Sequence, residues 1–309
     1  MSSPLTGDLS FKISALKEAL PYVQKFSGEV FVVKYGGSAM GDDATLAVFA
    51  SDVQLLKSCG INVIVVHGGG PQISKMLDKL GHQTKFIDGI RVTNKEAVDI
   101  VEMVLCGSIN KKIVSAINAA GGMAIGMSGK DANLFSAVKA TKTSKETDSN
   151  IERILDLGYV GRPTRLNTEI LDVFNDGPVI PVIAPVGYDD LGNTYNINAD
   201  VVAGFIAGEL KANKLILLTD VDGIMDDDKL FSVLSISDAR RMIERGTITG
   251  GMIPKVETCI DSLEKGVSSV HIINGNTQDA LIVEILTKSG IGTMIVNDGG
   301  EKCFEFGED

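Results

Sequence analysis

The chain has 309 residues, 44% of them apolar and 22% charged, which is the composition of a soluble globular protein with a substantial core. Its net charge of −11 argues against nucleic acid or an anionic membrane as a partner, because both bind basic surfaces. The sequence has no apolar run of the ~18 residues that a membrane span needs, and residues 1–8 lack a signal-peptide pattern. We therefore expect a cytoplasmic protein.

The four cysteines stand alone in the sequence, without a C-x-x-C pair; they are Cys59, Cys106, Cys259 and Cys303. Three of them lie in apolar helical stretches, which favours buried thiols over disulfides or metal ligands. This pattern indicates a reducing compartment and predicts no metal site.

The first predicted element is an amphipathic helix at residues 11–26, in which apolar residues such as Leu16 and Leu20 recur at spacings of three and four. Pro21 should bend it, because proline cannot donate a backbone hydrogen bond. Since the helix precedes the first strand, we expect it to be an appendage to the main fold.

Two strand-turn-helix units follow. The strand at 29–35 ends in Gly36 and Gly37 before a helix at 44–58, and the strand at 61–66 ends in His67 and three glycines. Such near-continuous apolar strands alternating with helices predict a parallel sheet that is covered on both faces.

Less regular segments lie between residues 86 and 150. Asp88-Gly89 between two apolar pairs predicts a hairpin turn. A long helix is predicted from 95 to 120, and the stretch 139–150, rich in Lys, Thr and Ser, should be an exposed loop.

A second alternating block completes the chain. It consists of a strand at 179–184, a helix at 199–211, a strand at 214–219, helices at 237–245 and 252–265, a strand at 268–273, a helix at 278–288 and a strand at 292–296. We place a lobe boundary near residue 195. The acidic tail 297–309 should be loosely held.

The glycine loops at the carboxyl ends of two predicted strands suggest phosphate chemistry, because backbone N–H groups and a following helix can bind an anion there. Lys34, at the edge of a buried strand, is costly there unless its ammonium reaches an anion. The alternative is that the glycines only form tight turns and that Lys34 extends to water. Neither a Walker A loop nor a clean G-x-G-x-x-G is present.

Six segments carry a specific resemblance. They read V-V-K-Y-G-G-S-A-M at 32–40, V-V-H-G-G-G-P-Q-I at 65–73, D-G-I-R-V-T at 88–93, Y-N-I-N-A-D at 195–200, L-L-T-D-V-D-G-I at 217–224 and G-G-M-I-P-K at 250–255. In order and spacing they resemble the amino acid kinase family, most closely its members that phosphorylate N-acetyl-L-glutamate, over nearly the whole chain.

The resemblance implies an α/β fold, a three-layer αβα sandwich with an open, mainly parallel central sheet and two lobes. Residues 1–28 would be the helix for oligomerisation and regulation, 29–195 the amino-acid-substrate lobe and 196–309 the ATP-binding lobe. The implied activity is transfer of the γ-phosphoryl group of ATP to the γ-carboxylate of N-acetyl-L-glutamate, in arginine biosynthesis.

The resemblance also implies site residues. Lys34 and Lys255 would flank the phosphoryl group in flight, and Asp200 would orient both lysines. The implied ligands are Gly36 and Gly37 for the phosphoryl group, Gly69, Gly70, Arg91 and Asn196 for the substrate, and Thr219, Asp220 and Gly223 for the nucleotide. Asp200 is also a candidate helix N-cap, and the role of Asn198 is left open.

ATP should bring Mg²⁺ with it, held mainly by phosphates and water. The acidic residues Asp220, Asp222 and Asp226 to Asp228 lack EF-hand spacing, so we interpret the run as a solvated loop. A carboxylate acceptor is ionised at pH 7 and needs no general base, so His67 is interpreted as structural.

With a helix before its first strand, the chain resembles the arginine-inhibited hexamers of this family. The resemblance therefore implies a hexamer, a trimer of dimers, that is inhibited by arginine. The implied effector positions are Tyr22, Lys265, His271, Glu284 and Gly290; packing roles are the alternative for Tyr22 and His271. Some relatives also bind a nitrogen-signalling protein, and the sequence leaves that partner open.

Two alternatives to this function remain. One is an amino acid kinase acting on glutamate, aspartate, carbamate or a nucleoside monophosphate; Arg91 in its hairpin and the Y-N-I-N-A-D segment favour N-acetyl-L-glutamate instead. The other is an inactive sensor that binds nucleotide and arginine, against which the presence of both Lys34 and Lys255 argues.

Overall fold

The computed structural model describes residues 7–36, 40–145, 152–227 and 229–299. Within these ranges the α-helices are α1 (Gly7–Phe26), α2 (Asp43–Ser58), α3 (Gly70–Lys79), α4 (Lys95–Glu102), α5 (Asn110–Ala119), α6 (Thr168–Asp172), α7 (Ala199–Glu209), α8 (Ile236–Glu244), α9 (Met252–Glu264) and α10 (Ala280–Leu286). A π-helical stretch at Met103–Ile109 joins α4 to α5, and a short 3₁₀ turn occupies Asp131–Asn133.

The strands in the same ranges are β1 (Val30–Tyr35), β2 (Asn62–His67), β3 (Lys85–Ile87), β4 (Ile90–Val92), β5 (Met123–Ser128), β6 (Phe135–Lys145), β7 (Glu152–Leu166), β8 (Val179–Ala184), β9 (Val186–Tyr188), β10 (Thr194–Asn196), β11 (Lys214–Thr219), β12 (Met225–Asp226), β13 (Lys229–Leu230), β14 (Val233–Ser235), β15 (Ser269–Asn274) and β16 (Thr293–Val296).

Eight of the described strands form one sheet, in the order β14-β16-β15-β11-β1-β2-β8-β5. Adjacent strands in this sheet are parallel to each other, except that β15 and β16 are antiparallel. β1 at the centre pairs with β2 on one side and with β11 on the other, so both halves of the chain share this sheet. The predicted domain boundary at 195–196 stays a prediction.

Two apolar cores cover the two faces of the sheet, because successive side chains of a strand point to opposite sides. On β1, Phe31, Val33 and Tyr35 enter the core with α1, α2, α5 and α10, which we call the α2 face. Val32 enters the core with α7, α8 and α9, the α7 face. The predicted three-layer αβα sandwich with a mainly parallel sheet is confirmed.

The remaining strands position parts of the site. β6, β7, β9 and β10 close into a small barrel, whose residues Phe135 and Tyr195 pack into the core of the α7 face. β3 and β4 form the predicted hairpin, in which Asp88 and Gly89 have φ of 47° and 78°, as a tight two-residue turn requires.

The helical stretch predicted at 95–120 is confirmed, since α4, the π-helical stretch and α5 follow each other without a gap from Lys95 to Ala119. Two other local predictions were wrong. Residues 139–145, expected in a loop, belong to β6, because they pair antiparallel with β7, a partner that their polar composition does not reveal. Helix α1 is no appendage, since Tyr22 and Phe26 in its last turns are only 3% and 2% exposed. It also continues through Pro21.

Among the described residues, no helix combines the length and the apolar character that crossing a bilayer requires. Cys59 and Cys106 are half-buried free thiols and Cys259 is a buried one, whereas Cys303 lies outside the described residues. Residues 300–309 of the predicted tail are also outside them.

Candidate active site

Two lysines and one aspartate meet on the α7 face, near the carboxyl edge of the sheet. Lys34 Nζ on β1 lies 2.8 Å from Oδ1 of Asp200, which is in the first turn of α7. Lys255 Nζ on α9 donates a hydrogen bond of 2.8 Å to Oδ2 of the same carboxylate. The contact with Lys34 is an ion pair without hydrogen-bond alignment. The three residues predicted as catalytic are therefore in direct contact.

Strand alternation and a helix cap place these groups. Val33 and Tyr35 are buried on the α2 face, so Lys34 between them points to the α7 face. Asn198 is the N-cap of α7, and its Oδ1 accepts the N–H of Asp200 at 2.8 Å. The capping role considered for Asp200 therefore belongs to Asn198, which leaves the Asp200 carboxylate to the lysines.

The electrostatics of this cluster favour one anion between two cations. Burial by itself would raise the pKa of Asp200, but the Lys34 and Lys255 ammonium groups lower it to about 2. Burial lowers the pKa of Lys34; Asp200 opposes this shift, and Lys255 adds to it. Asp200 is thus ionised at neutral pH and screens two cations that would otherwise repel each other.

Gly36 follows β1 where a side chain has no room. A Cβ at this position would lie 2.6 Å from the carbonyl oxygen of Leu218 and 3.0 Å from Lys34 Nζ. Glycine is therefore needed to bring the backbone beside the Lys34 ammonium. Gly37, predicted with Gly36 as a phosphate ligand, lies outside the described residues.

Gly69 and Gly70 form the start of α3, directly after β2. Gly69 is the N-cap, and a Cβ there would overlap the side chains of Leu105 and Ile109. A Cβ on Gly70 would meet no atom within 4 Å, so this glycine borders open space. Pro71 occupies the first turn, where its missing N–H costs nothing.

Arg91 on β4 connects the hairpin to the glycine loop. Its Nη2 donates to the carbonyl oxygen of Gly70 at 2.9 Å and to Ser74 Oγ at 2.8 Å, and its Nη1 donates to Thr84 Oγ1 at 3.3 Å. The guanidinium also lies over the ring of Phe86, 4.8 Å from its centroid. Although it is charged, Arg91 is only 7% exposed.

Asn196, at the end of β10, is connected to the same region. Its Nδ2 donates to Thr93 Oγ1 at 3.4 Å, and that hydroxyl donates to the carbonyl oxygen of Arg91 at 3.0 Å. The four residues predicted to bind the substrate, Gly69, Gly70, Arg91 and Asn196, are thus linked by the backbone of one loop and these hydrogen bonds.

The residues predicted to border the nucleotide follow β11, next to β1. Leu217 pairs with Lys34, so Thr219 and Asp220 lie just beyond the lysine at the carboxyl edge of the sheet. Thr219 Oγ1 donates to Asp220 Oδ1 at 3.1 Å. Gly223 has φ of 154°, and a Cβ there would lie 2.5 Å from Thr293 Oγ1.

The acidic run after β11 is mostly surface. Asp226 belongs to the short ribbon of β12 and β13, and Asp222 accepts a hydrogen bond from Asn274 at 2.8 Å. Asp228 lies outside the described residues. Where the structure describes the chain, no group of three or more His, Cys, Asp and Glu side chains could hold a metal ion.

His67 points to the α2 face, away from the lysines. Its ring is fully buried, and burial lowers the pKa of His67 to about 4. It contacts the carbonyl of Gly68 and the amide of Asn110. A neutral ring bound to the backbone agrees with the structural interpretation.

Four of the five predicted effector residues lie near one another, around α10. His271 Nδ1 is 2.6 Å from Glu284 Oε1, and both side chains are almost fully buried. Glu284 Oε2 also accepts the N–H groups of Ile291 and Gly292, at 2.7 and 3.0 Å. Gly290, with φ of 58°, forms the turn against this carboxylate.

Lys214, at the start of β11, completes this cluster, and the sequence analysis missed it. Its Nζ is 2.9 Å from His271 Nε2 and 5.0 Å from the ring centroid of Phe26. Phe26 in turn stacks on Tyr22, with 6.4 Å between ring centroids. A lysine that opens an otherwise apolar strand is a signal that could have indicated it.

Lys265, the fifth predicted effector residue, lies on the other face of the sheet. It caps the end of α9, its stem fills the space left by Gly208 on α7, and its Nζ is 5.9 Å from the Phe205 ring centroid. The structure thus does not bring Lys265 together with His271 and Glu284, which lie across the sheet.

Sequence comparison relates most of the chain to known enzymes. A model described as the amino acid kinase family matches residues 29–274. Acetylglutamate kinase of Rhodospirillum rubrum is 53% identical over 285 residues, 92% of this chain and 92% of that protein. Acetylglutamate kinase of Mesorhizobium japonicum is 54% identical over 282 residues, 91% of this chain and 95% of that protein.

Comparison with solved structures agrees. N-acetylglutamate synthase from Neisseria gonorrhoeae, complexed with coenzyme A and N-acetyl-glutamate, has a TM-score of 0.79 and 26% identity over 93% of this chain, which spans only 63% of the synthase. Carbamate kinase from Giardia lamblia bound to AMP-PNP has a TM-score of 0.61 over 88% of this chain and 99% of its own; at 17% identity it shows the fold alone. The chain belongs to the amino acid kinase family.

Proposed function

We propose that this kinase transfers the γ-phosphoryl group of ATP to the γ-carboxylate of N-acetyl-L-glutamate, giving N-acetyl-L-glutamyl 5-phosphate and ADP in arginine biosynthesis. The observation that carries the proposal is the contact of Lys34 and Lys255 with the two oxygens of Asp200. The acetylglutamate kinases that resemble the chain over nine-tenths of its length support the choice of acceptor.

The lysines act by position and charge. A carboxylate oxygen of the acceptor attacks the γ-phosphorus while the bond to the β,γ-bridging oxygen of ATP breaks, and negative charge spreads over the three equatorial oxygens. Lys34 reaches this group from the glycine-loop side, and Lys255 reaches it from α9. Asp200 holds both ammonium groups before the substrates arrive, so little reorganisation is needed at the moment of transfer.

Arg91 and Asn196 are proposed to orient the acceptor. The guanidinium is already held by the backbone of Gly70 and by Ser74, so its direction is set before binding. Other donors of the same guanidinium would bind the α-carboxylate of the substrate. The hairpin of β3 and β4, which carries Arg91, would cover the site and exclude water.

Mg²⁺ is proposed to enter with ATP rather than to occupy a site of its own. Asp200, the carboxylate at the centre, has one oxygen against each lysine, which makes it a poor metal ligand. The metal would therefore depend on phosphates and water, and the neutralisation of phosphate charge is the chemistry that it supplies.

The substrate choice is tested by ADP release and by trapping the acylphosphate with hydroxylamine. We expect N-acetyl-L-glutamate to support turnover, and glutamate or aspartate to support it far more weakly. Lys34→Met should lower kcat by ~10²-fold or more, since it removes a preorganised charge. The control is Lys112→Met, which removes an exposed lysine paired with Asp43. A preference for free glutamate, or a Lys34 variant with kcat within a few-fold of the parent, would refute the proposal.

Feedback inhibition by arginine is proposed for the second cluster. Glu284 supplies a buried carboxylate for a guanidinium, and His271 and the Gly290 turn contact it. Tyr22 is connected to this carboxylate through Phe26, Lys214 and His271. We assign to Lys214 the place that the sequence analysis gave to Lys265, because Lys214 contacts His271 directly. Arginine would act by changing the packing of α1 and α10 against the sheet, which is a coupling between two sites.

Glu284→Gln tests the arginine site. The variant should need at least about tenfold more arginine for half inhibition, because a charge-assisted pair is lost, while kcat stays within twofold of the parent. Glu264→Gln, which removes an exposed ion pair with Arg240, is the control. If arginine inhibited the parent and Glu284→Gln at the same concentration, the assignment of the arginine site to this cluster would be wrong.

A hexamer, arranged as a trimer of dimers, is proposed for the assembly. Three leucines of α1 share one side of the helix and are 44%, 70% and 54% exposed; they are Leu9, Leu16 and Leu20. Apolar residues in such a stripe are typical of a helix that packs against another molecule. The cytoplasmic location and a nitrogen-signalling partner stay predictions.

A further inference from the structure

The glycine loop after β2 is held from the α2 face, on the side of the sheet away from the lysines. His67 Nδ1 lies 2.9 Å from the carbonyl oxygen of Gly68, the first residue of that loop. His67 Nε2 lies 3.2 Å from Nδ2 of Asn110, the first residue of α5. Both side chains are buried, with exposed fractions of 0% and 1%.

The hydrogen bonds of Asn110 determine which nitrogen of His67 carries the proton. Asn110 Nδ2 also lies 2.8 Å from the carbonyl oxygen of Val182, which can only accept. The amide must therefore turn its NH₂ group to Val182 and to His67, while its Oδ1 accepts from Lys111 Nζ at 3.2 Å. His67 Nε2 is then an acceptor, and the proton is on Nδ1, where it is donated to the Gly68 carbonyl.

This proton position orients the next peptide group. A trans peptide is planar, so its C=O and N–H groups point in opposite directions. Because the Gly68 carbonyl faces the His67 ring, the N–H of Gly69 points away from it. The same loop is tied to β1, since the N–H of Gly68 donates to the carbonyl oxygen of Tyr35 at 2.9 Å.

The π-helical stretch contacts Gly69 from the same α2 face. Leu105 and Ile109 pack so closely on Gly69 that a Cβ there would overlap them. The stretch ends directly before Asn110, so one segment provides both the apolar contact and the amide. On β5, Gly126 leaves the space that the Asn110 amide occupies, because a Cβ at Gly126 would coincide with its Oδ1.

We propose that Asn110 is a positioning residue for phosphoryl transfer: it keeps the proton of His67 on Nδ1, and His67 thereby directs the Gly69 N–H to the reacting group. The proposal rests on the proposed function for the identity of that group. Asn110 itself touches no substrate. The π-helical turn is the device that brings its amide to the histidine, in agreement with the frequent occurrence of π-bulges at functional sites.

The surroundings keep this arrangement neutral at pH 7. Burial lowers the pKa of His67 to about 4; the Gly68 carbonyl opposes this shift, and Lys111 adds to it. The groups that face the ring are thus a carbonyl, an amide and one nearby ammonium. A ring that stays neutral keeps one donor and one acceptor, which is what a fixed peptide orientation requires.

Asn110→Leu tests the proposal against a matched change in the same helix. Leucine cannot donate to His67, so the Gly69 N–H loses its fixed direction. We expect kcat to fall at least about tenfold, because losing one such donor completely costs ~10²-fold. KM for ATP should stay within twofold of the parent value. The control is Asn118→Leu. Among the described residues, the Asn118 side chain accepts a hydrogen bond only from the N–H of Ala124, so kcat of this variant should stay within twofold of the parent. A folded Asn110→Leu protein with unchanged kcat would overturn the proposal.

If that variant does not fold, the position of the His67 proton can still be tested in the unaltered protein. The chain has only 3 histidines, so ¹⁵N NMR of labelled rings can follow each one. His67 should carry its proton on Nδ1 at pH 7 and should not titrate down to pH 5. A proton on Nε2, or a charged ring at pH 7, would overturn the proposal. This result does not depend on the substrate, so failure of N-acetyl-L-glutamate to support ADP release would refute only the proposed function.

Discussion

At the scale of single residues, Asp200 is the group on which the centre depends. It balances two ammonium groups that burial would otherwise make unfavourable, and it does so through separate oxygens. Since the carboxylate is only 14% exposed, water screens these contacts weakly. The residue therefore stabilises the fold, and in the proposed mechanism it also positions both lysines for the chemistry.

The Asp200→Asn variant should show both contributions. In the folded parent protein the pKa of Asp200 is about 2, below the ordinary value of 3.8. Ionised Asp200 therefore stabilises the fold above about pH 4, and this stabilisation disappears as pH falls towards 2. At pH 7 we expect the variant to lose on the order of 2 kcal/mol of unfolding free energy and ~10²-fold in kcat. Urea unfolding of the variant and the parent at pH 7, 4 and 3 measures the loss of unfolding free energy.

The control for this experiment is Asp43→Asn, which removes an exposed carboxylate paired with Lys112. It should leave stability nearly unchanged, because exposed ion pairs contribute little. A stability difference between Asp200→Asn and the parent that grows as pH falls from 7 to 3 would contradict the ion-pair account.

At the scale of elements, the contact of α2 with α10 contains a buried acid that has no part in the proposed mechanism. Asp52 on α2 is 4% exposed, and its Oδ2 accepts the N–H of Leu281 at 3.2 Å. It borders a cavity of about 220 Å³ at the carboxyl end of β11. Burial raises the pKa of Asp52 to about 7; the N–H of Leu281 opposes the shift, and Asp279 adds to it.

The pH dependence of stability should reveal this acid. Because the folded pKa lies above the ordinary 3.8, the folded protein binds more protons than the unfolded chain between about pH 4 and pH 7, and stability falls across that range. Asp52→Asn keeps an oxygen for Leu281 but cannot ionise. We expect it to be more stable than the parent by on the order of 2 kcal/mol at pH 8 and similar to it at pH 4.

Thermal or urea unfolding at both pH values checks this, with Asp99→Asn as the control, since Asp99 is an exposed partner of Lys95. If Asp52→Asn proved less stable than the parent at pH 8, the ionised carboxylate would be stabilising and the argument from burial would fail.

At the scale of the whole molecule, α1 has two roles on two sides. Its last turns are part of the core through Tyr22 and Phe26, whereas its leucine stripe is exposed in the single chain. Deleting residues 1–27 would therefore also open the core beside Phe31 and Lys214. Substitutions in the stripe separate assembly from stability.

Leu16→Glu with Leu20→Glu should reduce the mass of the assembly from a hexamer to dimers, because charges on the stripe cannot be buried between molecules. Light scattering after size exclusion measures the mass. Catalysis should persist, and inhibition by arginine should be lost with the assembly. Leu191→Glu, at a leucine that is 87% exposed on the turn before β10, is the control. An unchanged hexamer would refute the role of the stripe.

The sequence by itself determined the architecture and the identity of the central groups. Apolar strands that alternate with helices permit few arrangements other than a covered parallel sheet, and glycines at strand ends mark where a ligand can approach. Lys34 was recognisable because a lysine in such a strand needs an anion. The motifs then indicated Lys255 and Asp200, although 55 residues separate them in the chain.

Tertiary structure decided the contacts that no local pattern contains. Asn198 rather than Asp200 caps α7, Lys214 rather than Lys265 meets His271, and Asn110 reaches His67 from 43 residues away. Residues 139–145 became a strand only because β7 pairs with them. The physical reason is common to these cases: a polar side chain or a strand edge is satisfied by whichever partner the fold brings near, and sequence distance carries no information about that partner.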